Sequence, residues 1–136
     1  MSDEAELLAA NEAFYAAFRA RSMEAMEALW STRDDLLCVH PGWAPLLGRE
    51  AVLGSWQRIL SNAGNPRLIA REARVIPMGE GACVLCIEVA GEGSMVATNL
   101  FVREDGRWRL LSHHAGPVAS AAPPPPPPPE RKGVLH

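Results

Sequence analysis

Apolar residues along this chain fall first into a helical rhythm and then into an alternating one. From Glu4 to Ala20, Leu7, Leu8, Phe14, Ala17 and Phe18 recur at the spacing of one helical face, with Asn11 and Tyr15 among them, so an amphipathic helix is predicted. Ser22 is placed to cap a second, short helix reaching Trp30, in which Met23, Met26, Leu29 and Trp30 share a face. Leu36-Leu37-Cys38-Val39-His40 then forms a short apolar run that stops at Pro41-Gly42. This is the first predicted strand. After a loop from Trp43 to Gly48, a third helix is predicted over Arg49 to Ser61, with Val52, Leu53, Trp56, Ile59 and Leu60 at helical spacing. Asn62, Gly64, Asn65 and Pro66 end it.

The remainder is strand-like. Runs from Arg67 to Ile76, Ala82 to Ala90, Ser94 to Arg103 and Arg107 to His114 are joined by short links containing Gly79, Gly81, Gly91, Gly93 and Gly106. Such links predict antiparallel neighbours. Helices followed by hairpin strands imply an α+β architecture in which helices cover one face of the sheet. The strands are apolar on both parities: Val96, Leu100 and Val102 alternate with Met95, Ala97 and Phe101. A sheet with one wet face would alternate more cleanly, so a homodimer through the sheet face is expected.

Composition bounds the function classes. The length of 136 residues fits one domain, placed at residues 1–118, with residues 119–136 as a proline-rich tail. Seven consecutive prolines, Pro123 to Pro129, can form only a polyproline II rod outside the core. Truncation after Pro117 is expected to leave folding intact. No apolar run approaches the roughly 18 residues of a membrane helix. The acidic start, Met1-Ser2-Asp3-Glu4-Ala5-Glu6, lacks the basic and apolar regions of a secretory signal. Cys38, Cys83 and Cys86, an odd set embedded among apolar residues, read as buried thiols in a reducing cytoplasm. Residues three apart in a strand point to opposite faces, so Cys83 and Cys86 do not form a metal pair. A net charge of −3 without a dense Lys/Arg block supplies no footprint for nucleic acid.

Two stretches carry a resemblance. Val39-His40-Pro41-Gly42 through Gly48-Arg49-Glu50-Ala51-Val52, and Asp105-Gly106-Arg107-Trp108-Arg109-Leu110-Leu111-Ser112-His113-His114, together with the element order, resemble the nuclear transport factor 2-like superfamily, in particular its SnoaL-like branch. The resemblance covers Glu4 to Gly116. It implies a cone-shaped, curved, mostly antiparallel sheet wrapped by three helices from the N-terminal half (a cystatin-like fold), with a pocket inside and commonly a dimer. The superfamily includes polyketide cyclases, steroid isomerases, dehydratases and non-catalytic members, and fold alone does not choose among them.

Candidate chemistry narrows the choice. The steroid isomerase pattern implies a carboxylate base just before the proline that ends the first strand. That place holds His40, and the remaining carboxylates cluster at element ends. An imidazole titrates near neutrality and can serve as a base there, or simply hydrogen-bond as a structural residue. His113 and His114 are adjacent on the last strand, so they face opposite ways, and the sequence leaves open which lines the pocket. His40 and His114 are taken as the acid–base pair, and Tyr15, Trp43, Trp56, Asn99 and His113 as ligand-binding residues. Trp56 also fits the core by its helical spacing, and Asn99 also fits a dimer-interface amide. Two imidazoles fall short of a zinc site, and no metal or other cofactor is expected. The sequence thus predicts a small bacterial-type protein that binds or acts on a small apolar molecule by acid–base chemistry, as an isomerase, cyclase or dehydratase if it is an enzyme. The alternative is a non-catalytic homodimerisation module.

Overall fold

The computed structural model describes residues 2–118. The expected proline rod and the rest of the tail lie outside the described residues. The three helices form where the apolar rhythm places them: α1 over Asp3–Ala20, α2 over Met23–Leu29 and α3 over Arg49–Ser61. Ser2 and Ser22 cap α1 and α2, their hydroxyl oxygens accepting from the amides of Ala5 and Ala25. Arg21 ends α1 in the left-handed region, at φ 53°.

Six strands form one sheet: β1 (Leu37–Val39), β2 (Leu46–Leu47), β3 (Ile69–Met78), β4 (Gly81–Ala90), β5 (Gly93–Glu104) and β6 (Arg107–Pro117), in the order β2-β1-β6-β5-β4-β3. All neighbours are antiparallel except β1 and β6. The α+β cone predicted from the sequence is therefore the observed fold. One difference lies at β2: residues expected in a loop pair with β1, Cys38 opposite Leu46. Two residues carry too little periodicity to announce a strand, and this one exists only because the chain returns past β1.

Two irregularities curl the sheet around the helices. β3 carries an extra residue between Arg71 and Arg74, with Glu72 at φ 54°. β6 carries one where Leu100 and Phe101 pair with Ser112 and Leu110. Each bulge adds twist and bend. The inner face packs Phe101, Leu110, Val84 and Ala97 against Phe14, Met26 and Val52, with Trp30 and Leu36 fully buried beside them. Burial of side chains this large contributes roughly 1.5–3 kcal/mol each.

Candidate functional site

A cavity of about 530 Å³ opens between α3, the end of α1 and the inner face of the sheet. Its wall is largely apolar, with Phe18, Trp56, Ile59, Leu68 and Met95. Its polar groups are His40, Arg58, Asn62, Asn65, Glu88 and His113. An apolar wall with a few convergent polar groups is the usual make-up of a small-molecule site.

His40 is placed by a turn. Pro41 follows it, Gly42 takes φ 81°, and the Trp43 amide donates to the His40 carbonyl at 2.9 Å. Proline at the second position and a positive-φ glycine at the third are the requirements of a type II turn. The turn folds Trp43 back over the imidazole, with ring centroids 4.8 Å apart, and Trp56 meets the same ring edge-on at 4.7 Å. Ser55 Oγ donates to the Val52 carbonyl at 2.7 Å, so its lone pair accepts from His40 Nε2 at 2.9 Å. That fixes the Nε2–H tautomer and leaves Nδ1 as an acceptor. Burial, aided by the charge of Arg58, lowers the His40 pKa to about 4. The ring is neutral at pH 7.

His113 is placed by the bulge in β6. Leu110 faces inward against Phe101, and in a regular strand Ser112 and His114 would follow it inward. The extra residue reverses the phase, so His113, opposite Asn99, turns inward while His114 is exposed on the outer face. The expected pairing of His40 with His114 is corrected here: the histidine near His40 is His113, with ring centroids 6.3 Å apart.

Behind His113 lies a hydrogen-bonded chain from α1, β4 and β5. Asn99 Nδ2 donates to Asn11 Oδ1 at 2.8 Å and to the Tyr15 hydroxyl at 3.2 Å. Its Oδ1, an acceptor, lies 2.6 Å from His113 Nδ1. His113 is therefore the Nδ1–H tautomer, with a lone pair on Nε2. The Tyr15 hydroxyl in turn donates to Glu88 Oε2 at 2.6 Å. Burial, then the nearby Glu88 carboxyl, raises the Tyr15 pKa, so it remains a donor. Burial, then the charges of His40 and His114, lowers that of His113 to about 3. His113 Nε2 and Glu88 Oε2 are 3.9 Å apart. With a neutral imidazole this is neither an ion pair nor a hydrogen bond.

Glu88 corrects the expectation that the carboxylates cluster at element ends. It sits within β4, is 2 % exposed, and borders the cavity. Burial raises its pKa, and the Tyr15 hydrogen bond only partly opposes this. Among the described residues no Lys or Arg lies within ion-pair distance of it, and Oε1 has no hydrogen-bond partner. A buried carboxyl without a cation is stabilised in its protonated form. Its signal was present in the sequence: Ala82, Val84, Cys86 and Glu88 share one parity of an apolar strand.

Of the other expected ligand-binding residues, Trp43 and Trp56 border the cavity. Tyr15 and Asn99 lie behind its wall, fully buried in the hydrogen-bonded chain. Asn99 thus points inward, away from the outer sheet face. Cys83 and Cys86 face opposite sides of β4, Cys86 beneath Tyr15 and Cys83 opposite Leu100 on the outer face. Among the described residues no group of three or more His, Cys, Asp or Glu side chains could hold a metal ion, and no helix is long and apolar enough to cross a membrane.

A family model of the SnoaL-like domain matches residues 7–120. The chain is 27% identical over 112 residues to the F-box protein SKIP8 of Arabidopsis thaliana, covering 80% of this chain and 48% of that protein. It therefore spans about half the length of this curated relative. Among solved structures it is similar to a protein provisionally named a dehydratase of the nuclear transport factor 2-like family from Streptomyces avermitilis. That match has a TM-score of 0.79 and 34% identity, covering 87% of this chain and 97% of the other. It is also similar to a protein from Thiobacillus denitrificans provisionally named a calcium/calmodulin-dependent protein kinase type II association domain. There the TM-score is 0.74 and the identity 37%, with 82% and 94% coverage.

Proposed function

This chain belongs to the SnoaL-like domain family, and from that membership we propose that its cavity binds a small, largely apolar molecule and exchanges protons with it. The observation that carries this reading is the meeting of three buried titratable groups at one apolar cavity: Glu88, whose pKa burial raises and whose Oε1 has no hydrogen-bond partner; His40, whose Nδ1 meets only the weakly bonding Cys38 thiol at 3.9 Å; and His113, whose Nε2 has no hydrogen-bond partner. Groups whose charged forms burial disfavours, and which have no counter-ion, can exchange a proton with a ligand without first expelling one. Glu88 is the proton donor of the set and His40 the acceptor across the cavity. In a dehydration the Glu88 carboxyl would protonate a departing hydroxyl while His40 Nδ1 took the proton from the adjacent carbon, releasing water and leaving a double bond. Isomerisation or cyclisation would use the same two transfers without loss of water. The name given to the Streptomyces avermitilis structure is compatible with this class.

Native mass spectrometry of freshly purified protein tests the reading, with a copurified small molecule as the expected result. Turnover of that molecule should fall at least about a hundredfold in Glu88→Gln and in His40→Ala, within the usual span for general acid–base groups of about 10²–10⁴. Unchanged turnover in both variants would remove the proposed chemistry.

A second reading, a homodimerisation module, is favoured by the outer face of the sheet. Val96 and Ile76 are exposed there, with Leu85, Ile87 and Leu100 half-buried around them. We propose that two copies pair through this face, which is compatible with pocket chemistry on the other. Light scattering at micromolar concentration should give twice the chain mass, and Val96→Lys should reduce it to one; a monomeric wild type would overturn the pairing.

A further inference from the structure

Arg58 is a charged group that the proton chemistry does not use. It projects from α3 at the mouth of the cavity, opposite in depth to Glu88. Its guanidinium carbon stands 5.8 Å from the centre of the Trp43 ring. One guanidinium nitrogen lies back along the helix, where a Cβ on Gly54 would come within 3.9 Å of it. Lying over the tryptophan ring and along a bare stretch of helix, the guanidinium donates no hydrogen bond among the described residues, so its N–H groups are free. Asp34 and Glu50 border the neighbouring hollow, yet among the described residues Arg58 has no carboxylate within 4.0 Å. Its charge nevertheless reaches inside, since it contributes to holding His40 neutral.

The two ends of the cavity therefore treat charge differently. The deep end has no cation among the described residues and holds a buried carboxyl, so an anionic group placed there would lose its hydration without compensation. The mouth has a guanidinium open to solvent.

Building on the pocket reading, we infer that Arg58 selects the ligand by charge: the cavity takes a small aromatic or alicyclic monoanion. Its carboxylate pairs with the guanidinium at the mouth, its apolar body lies against Trp56 and Met95, and its uncharged end reaches Glu88. The pairing is oriented, because the planar guanidinium presents two N–H donors to the two carboxylate oxygens. It holds the ligand end-on, so the reacting part of the molecule arrives at the proton-carrying groups.

Calorimetric titration with 3-phenylpropanoate and its uncharged counterpart 3-phenylpropanamide tests this on the full chain, wild type, Arg58→Gln and Arg58→Lys. Wild type should bind the anion about three- to tenfold tighter than the amide, the range expected of a part-exposed pair. Arg58→Gln should abolish the preference, and Arg58→Lys should retain part of it. Raising the salt concentration should shrink the preference in wild type. If the amide binds but the anion is not preferred, or the preference survives in Arg58→Gln, the charge selection is overturned while the pocket stands. If neither probe binds any of the three proteins, both the charge selection and the pocket reading fall.

Discussion

His113 and His114 are neighbours in the chain and inhabit opposite faces of one strand, and the two faces follow different rules. On the inner face the polar side chains Asn11, Tyr15, Asn99, His113 and Glu88 are tied together: Asn99 binds Asn11, Tyr15 and His113, and Tyr15 binds Glu88. On the outer face the pattern is inverted, with apolar Val96 and Ile76 open to solvent and His114 exposed among them. A polar group buried without partners costs about 1–3 kcal/mol, and linking these five side chains into one chain offsets that cost. The same constraint explains why the inner groups are available for chemistry: the bonds behind His40 and His113 fix their tautomers, and burial disfavours the charged forms of all three titratable groups.

The contrast can be broken most forcefully at the packed layer. Phe101→Ala on the inner face should destabilise by about 3–5 kcal/mol, whereas Val96→Ala on the outer face should cost under about 1 kcal/mol. Urea unfolding of both variants checks this, and similar losses would mean that the faces are not distinct. Removing the centre of the inner chain is the next largest effect. Asn99→Ala strands donors or acceptors on Asn11, Tyr15 and His113 and should cost about 2–4 kcal/mol.

A finer test is the dependence of stability on pH. His113 and His40 have folded pKa values lowered to about 3 and about 4, below the ordinary 6.5. The unfolded chain therefore takes up these protons first, and the stability associated with both rings, fully present above pH 6.5, is lost as the pH falls through that window. Glu88 acts in the opposite sense, because its raised pKa lets the folded state take up a proton above 4.5. Its contribution is fully present below 4.5 and is lost as the pH rises through the folded value. In acid unfolding curves, His113→Gln should flatten the loss below pH 6.5 and Glu88→Gln should steepen it. His114→Ala is the smallest expected effect, within about 0.5 kcal/mol, as befits an exposed side chain.

Much of this contrast was legible in the residues. The rhythm of Leu7, Phe14 and Ala17 predicted α1, and the glycine links predicted the hairpins that became β3 to β6. His40 before Pro41-Gly42 marked the end of the first strand and the place where Trp43 folds back. What escaped was phase. Nothing local marks Leu111 as the extra residue, and without it the parity of Leu110 assigns His114 to the wrong face. Glu88 was hidden by a different rule: a charged residue in a strand is usually solvated, and only its parity with Val84 and Cys86 placed it inside. Ser55 and Arg58 matter through contacts between α3 and the turn after β1, which no short-range pattern encodes.

The central claim is that burial on the inner face raises the pKa of Glu88 and makes it the proton-carrying acid of the cavity. Its most direct test is ¹³C NMR titration of protein labelled at the glutamate carboxyl carbons, with Glu88→Gln identifying the Glu88 signal. A midpoint clearly above the ordinary carboxylate range is predicted, moving higher still in Tyr15→Phe, where the hydrogen bond that opposes the shift is lost. A Glu88 signal that titrates at or below that range would contradict the account.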